Sequence, residues 1–122
     1  MSRPLRLVSD PLFAINLTPA TCLVEVVLRG FWTVEDFARF ETALRAAMHD
    51  VMAHGCRMGE QVTLFDLTQY TVQSADVAQG MAGMAGDPTI GSRRIAVILS
   101  SALLKMQARR TAPDYGFFED RA

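Results

Sequence analysis

The chain has 122 residues, of which half are hydrophobic and 20% charged. That is the composition of one globular domain, able to bury about two thirds of its unfolded surface, and not of a disordered chain. A net charge of −1 gives no long-range attraction to nucleic acid or to an anionic membrane, and no apolar run approaches the ~18 residues of a membrane span.

Residues 1–10 carry arginines but lack the apolar stretch of a signal peptide. Cys22 and Cys56 follow no regular spacing, so the expectation is a cytoplasmic protein with two reduced, buried thiols. Lysine occurs once, at Lys105, among twelve basic residues, a bias read as codon usage.

Residues 13–17 and 22–29 are β-rich runs separated by Thr18-Pro19-Ala20-Thr21, a linker suited to a hairpin turn. The second run is nearly continuous in Leu23, Val24, Val26, Val27 and Leu28, which suggests a central strand covered on both faces. It ends at Gly30.

Thr33 then opens the strongest helix. Its hydroxyl can accept from a free backbone N–H of the first turn, and Glu35 and Asp36 sit at the positive end of the dipole. Phe37, Phe40, Leu44, Met48 and Val51 form one stripe at steps of three and four. Glu35/Arg39 and Glu41/Arg45 are expected ion pairs on the outer surface, and Gly55 is a left-handed stop.

A third strand is read at 61–67, a weaker helix from 75 to about 85, and a loop at 87–91. A short apolar strand follows at 95–99, then a helix from Ser100 or Ser101 to about Thr111, and an edge strand at 115–118. The order β-β-α-β-α-β-α-β implies a single α/β domain over 1–122, with a mixed, mostly parallel sheet of about five strands and an antiparallel first strand.

These residues resemble a known family. The strand ending at Gly30, Thr33-Val34-Glu35-Asp36-Phe37, residues 62–66 and Arg94-Ile95-Ala96-Val97-Ile98 are similar to the SpoIIAA-like group of the STAS superfamily, small βα-superhelix domains. The resemblance covers roughly residues 13–120 and implies a regulatory or protein-interaction domain, with apolar ligands and membrane contact also attributed to the group. Phospho-regulated members carry an Asp-Ser-Ser-Gly type turn entering the second helix. Here the aligned stretch is Ser74-Ala75-Asp76-Val77, with alanine at the phosphoacceptor position and valine at the glycine, which argues against the switch.

Candidate chemistry is sparse. Ser74 is a weak phosphosite candidate, since a phosphate is tolerated at a helix N-terminus, but a serine there is what capping alone requires. Asp66, near a strand's carboxyl end, has no partner acid, base or nucleophile in the pattern and reads as a loop-bonding group. His49 and His54 are five apart, off the spacing that shares a helix face, and with Cys56 make no metal site. Gly80, Gly83 and Gly86 lack the strand and the Lys-Ser/Thr of a phosphate loop.

Phe31, Trp32, Met81 and Met84 are large apolar side chains outside the regular stripes and form a candidate ligand pocket or lid. Arg93, Arg94, Lys105, Arg109 and Arg110 should converge at one end of the domain, because a crossover helix returns to the start of its strand; they are a candidate surface for an anionic partner. Tyr115, Phe117 and Phe118 lie on the last strand, with only 119–122 after them, and are the expected homodimer contact.

The functional expectation is a non-enzymatic regulatory or protein-interaction domain with an unidentified protein partner, without cofactor, metal or nucleic acid. The alternative is a carrier or sensor of a small apolar, lipid-like ligand, with membrane association as its variant.

Overall fold

The computed structural model describes residues 5–57, 60–85, 87, 94–98, 106–107 and 116–118. A six-stranded sheet runs in the order of the sequence: β1 (Leu5–Asp10), β2 (Phe13–Thr18), β3 (Leu23–Gly30), β4 (Val62–Tyr70), β5 (Arg94–Ile98) and β6 (Gly116–Phe118). The first two pairings are antiparallel and the remaining three parallel. Between them lie α1 (Val34–Ala53) and α2 (Ala75–Ala85). The mixed α/β sheet, its antiparallel start and its mostly parallel remainder agree with the sequence reading. The strand number does not: there are six.

The unexpected strand is β1. Asp10 accepts a bond from the Leu12 N–H at 3.0 Å, closing a tight turn through Pro11 that folds residues 5–10 onto β2. Its register shifts between Arg6 and Val8, so Leu7 is an extra residue. That bulge breaks the alternation from which a strand is recognised.

β3 is central, as expected, but it is not sealed on both sides. Val24, Val26 and Leu28 are buried, whereas Leu23, Glu25 and Val27 on the other face are half-buried. The buried face joins Phe13, Ile15 and Leu17 of β2 and Phe40, Leu44, Ala47, Met48 and Val51 of α1 in one core. The helix stripe is therefore the expected one, with Phe37 at its margin.

Thr33 caps α1 in a reciprocal pair. Its hydroxyl accepts from the Asp36 N–H at 3.1 Å, and the Asp36 carboxylate accepts from the Thr33 N–H at 2.9 Å. Arg45 meets Glu41 at 3.2 Å as expected and also Asp87 at 2.8 Å. The expected Glu35/Arg39 pair is replaced: Arg39 meets Asp36 at 2.9 Å and Asp10 at 3.2 Å. Asp36 is already fixed by the cap, and the β1–β2 turn delivers Asp10 to the same guanidinium. Gly55, at φ +106°, ends the helix.

The expectation of free thiols is corrected. Cys22 and Cys56 form a disulfide, with Cα atoms 5.9 Å apart. The eight residues of β3 at ~3.3 Å and the twenty of α1 at ~1.5 Å have similar lengths. The helix therefore returns the chain to where the strand began, placing Cys56 beside Cys22. The length argument that groups the arginines finds this pair too. The cytoplasmic expectation loses the support it drew from reduced thiols.

α2 begins and ends where the sequence indicates. Gly80, expected only to weaken the helix, lets it lie close on α1: a Cβ there would come within 2.6 Å of the Phe37 ring. β4 extends past the expected residue 67 to Tyr70. Met106 and Gln107 are helical, within the expected last helix; the rest of that helix lies outside the described residues. No helix among the described residues is long and apolar enough to cross a membrane.

Candidate functional site

The parallel strands β3 and β4 end side by side, with Gly30 opposite Tyr70, and both helices begin at this same end. Ligands of open α/β sheets bind at the carboxyl ends of strands, so this rim is the natural candidate. Gly30 takes φ +76°, turning the chain out of β3. Its carbonyl accepts from the Thr71 N–H at 3.3 Å and the Thr71 hydroxyl at 3.2 Å.

Gln73 organises the rim. Its side-chain oxygen accepts from the Trp32 N–H at 2.9 Å, and its amide nitrogen donates to the carbonyls of Gly30 at 3.0 Å and Thr71 at 2.7 Å. Gln107 treats Gln73's own backbone in the same way, accepting from its N–H at 2.9 Å and donating to its carbonyl at 3.0 Å. Two side-chain amides, each bonded like a strand partner, thus link the β3–α1 connection, the β4–α2 connection and the helical segment at Met106–Gln107. Nothing in the local pattern around Gln73 or Gln107 announces this.

Beneath the rim, Trp32 packs edge-to-face on Phe40 and Tyr70, with ring centroids at 5.2 and 5.3 Å, and lies 6.0 Å from Phe13. Its indole N–H donates to the Arg29 carbonyl at 2.7 Å. The Tyr70 hydroxyl is buried without a hydrogen-bond partner among the described residues, and burial pushes its pKa upward from the ordinary tyrosine value. Asp36, at the surface, is held below the ordinary carboxylate value first by the Thr33 N–H and then by Arg39.

The sequence-predicted pocket residues part company here. Trp32 is 1% exposed and Phe31, its neighbour, 63%. Met84 is buried in the core, and Met81 packs half-buried against it. Ser74 stands before α2, its hydroxyl accepting from the Val77 N–H at 3.4 Å, as a capping serine does. Asp66 accepts from the Thr68 N–H at 3.0 Å and hydroxyl at 2.7 Å, a local bond within β4 where its register against β3 shifts. His49 and His54 are exposed, the His54 ring bonding the Asp50 carbonyl at 2.8 Å.

Of the arginine cluster, Arg94 opens β5, while Arg93, Lys105, Arg109 and Arg110 lie outside the described residues. Phe117 and Phe118 pair in register with Val97 and Ile98 on the terminal strand of the sheet, and Tyr115 lies outside the described residues.

The arrangement is similar to one known crystal structure, that of an uncharacterized protein of the DUF3478 family from Shewanella loihica PV-4, described as having a SpoIIAA-like fold. The TM-score is 0.66 at 23% identity, over 99% of this chain and 93% of that one. The chain has a SpoIIAA-like fold. At that identity the likeness speaks for the fold alone. No protein-family model matches the chain, and no curated protein matches it.

The SpoIIAA-like scaffold places the β3–α1 and β4–α2 connections together at its carboxyl rim. What the rim offers is apolar surface on an ordered base. Of its carboxylates, Asp36 is engaged in the cap of α1 and, with Asp10, in ion pairing to Arg39.

Proposed function

We propose that this SpoIIAA-like chain is a non-enzymatic regulatory domain that acts by binding another protein, without a phosphoserine switch. The observation that carries the reading is the distribution of exposed apolar side chains. The large ones among the described residues are Phe31 (63% exposed), Met106 (55%), Val34 (53%) and Val72 (41%). All four belong to the segments that meet at the carboxyl rim. Single exposed apolar residues are ordinary, but a set gathered at one end of the domain favours an interaction surface there. Ser74 supports the second half of the proposal, since its hydroxyl is occupied as a helix cap. Trp32 and Met84 are already packed in the core and Met81 against it, which favours a protein partner over a carried apolar ligand.

The test places a photo-crosslinking phenylalanine analogue at position 31 of the full chain in its source cells. A protein adduct that reconstitutes from purified components, with a micromolar or tighter dissociation constant, supports the reading. Recurrent copurification of a fatty acid or lipid by native mass spectrometry, with no protein adduct, replaces it with the carrier.

A further inference from the structure

The rim's charge says what kind of partner fits it. Phe31 lies between Gly30 and Trp32, Val72 between Thr71 and Gln73, and Met106 beside Gln107. The bonds Thr71 N–H to Gly30 at 3.3 Å, Trp32 N–H to Gln73 at 2.9 Å and Gln73 N–H to Gln107 at 2.9 Å hold these three backbones together. Val34 begins α1 at the same end. The apolar group therefore rests on a framework that is ordered before anything binds, which lowers the entropic cost of association.

Among the described residues around it, acid outweighs base; Lys105, which precedes Met106 in the chain, lies outside them. Among the described residues at this end, the carboxylates are Asp10, Glu35, Asp36 and Asp76, and the cations are Arg29 and Arg39. Arg39 is taken up by Asp10 and Asp36, and Arg29 donates to the Asp10 carbonyl at 3.4 Å. Glu35, next to Val34, and Asp76, in the first turn of α2, are exposed and make no ion pair among the described residues. In those first turns they complement the helix dipoles, which explains their stability there but leaves both carboxylates facing water.

From this we infer that the carboxyl rim is a docking surface for a basic amphipathic segment of a partner protein, with apolar side chains on Phe31, Val34, Val72 and Met106 and flanking Lys or Arg opposite Glu35 and Asp76. The inference rests on the protein-interaction reading above and specifies its partner. Charge decides among the occupants. A second copy docked by two-fold symmetry through this face would set two surfaces with the same unpaired carboxylates against each other, and anionic lipid would meet those carboxylates too; both arrangements are repulsive.

The experiment uses two fluorescent synthetic helices of equal length, one of leucine and lysine and one of leucine and glutamate. Binding to the full chain is measured by anisotropy at low and high salt, beside vesicles of phosphatidylcholine and of phosphatidylglycerol. The leucine–lysine helix is expected to bind about tenfold or more tighter than its acidic counterpart, and less tightly at high salt. Glu35→Lys with Asp76→Lys should reverse that preference. Phe31→Ser with Met106→Ser should weaken binding about tenfold while leaving thermal unfolding unchanged, since both side chains are exposed.

Equal binding of the two helices, or indifference to the charge reversal, overturns the inference. So does tighter binding to phosphatidylglycerol vesicles, which makes the rim a lipid face, or dimerisation in sedimentation that Phe31→Ser abolishes. Should the basic helix fail to bind while a protein crosslinks and reconstitutes from position 31, the docking chemistry is wrong and the interaction reading stands. Absence of both removes both.

Discussion

At the amino end of the parallel strands, the start of β3 and the exit of α1 are joined by the covalent Cys22–Cys56 bridge, and β4 is tied in by the Val62 N–H donating to the Cys22 carbonyl at 2.8 Å. At the carboxyl end, the corresponding connections are held by the side-chain amides of Gln73 and Gln107. The described exposed large apolar side chains gather only at that second end. The difference is instructive. A disulfide limits the unfolded chain whatever surrounds it, so an end closed that way needs no special surface. An amide bonded to backbone donors and acceptors orders loops in the native state and leaves neighbouring side chains outside to be used.

The largest expected effect breaks the amino end. Cys22→Ala with Cys56→Ala opens a bridge between residues 34 apart, and should cost about 4 kcal/mol in urea unfolding by the loop-entropy relation. A loss under about 1 kcal/mol would mean that hydrogen bonds hold this end by themselves. Basic-helix binding at the opposite rim should be unchanged at temperatures where the variant is folded.

Next is the carboxyl end. Gln73→Ala leaves the Trp32 N–H and the Thr71 carbonyl short of the bonds that Gln73 makes to them, and should cost about 2–3 kcal/mol. It should also speed hydrogen exchange at the Trp32 amide more than at amides near Cys22. Equal acceleration at both ends would deny that the ends are held separately.

Two smaller tests concern the supports of the rim. Gly83→Ala in α2 should stabilise by up to about 1 kcal/mol, because nothing stands within 4 Å of the added Cβ. Gly80→Ala should forfeit that gain, since its Cβ would press on the Phe37 ring. Thermal unfolding of the pair decides it: equal gains would mean that the two helices are not packed through Gly80. Tyr70→Phe removes a buried hydroxyl that has no partner among the described residues and should be neutral or stabilising by about 1 kcal/mol. A clear destabilisation would reveal that the hydroxyl is satisfied.

The smallest effect is acidic. Asp36 is lowered below its ordinary value of 3.8 in the folded chain, so its contribution is complete above that value and is lost as pH falls through the lowered one. Asp36→Asn should flatten this part of the stability–pH curve. An unchanged acid limb would show that the cap does not depend on the charge.

The local features were legible because their causes are local. Thr33 as a cap, Gly30 and Gly55 as turning points, the α1 stripe and the bounds of α2 each follow from a few adjacent residues and the period of a helix. β1 escaped because its bulge at Leu7 breaks the period, and Arg39 chose Asp10 because a hairpin brought it there. The candidate site was half legible: Phe31 and Trp32 are adjacent and equally apolar, and only the packing of Phe13, Phe40 and Tyr70 around one of them separates core from rim.

The sequence by itself determined the alternation of strands and helices, the caps and turns that bound them, and thereby the SpoIIAA-like class of fold. Tertiary structure alone decided the Gln73–Gln107 clasp, the closeness of Gly80 to Phe37 and the gathering of exposed apolar residues at one rim. Each of these joins residues distant along the chain, and a periodic pattern carries no information about which distant residue a given side chain will meet.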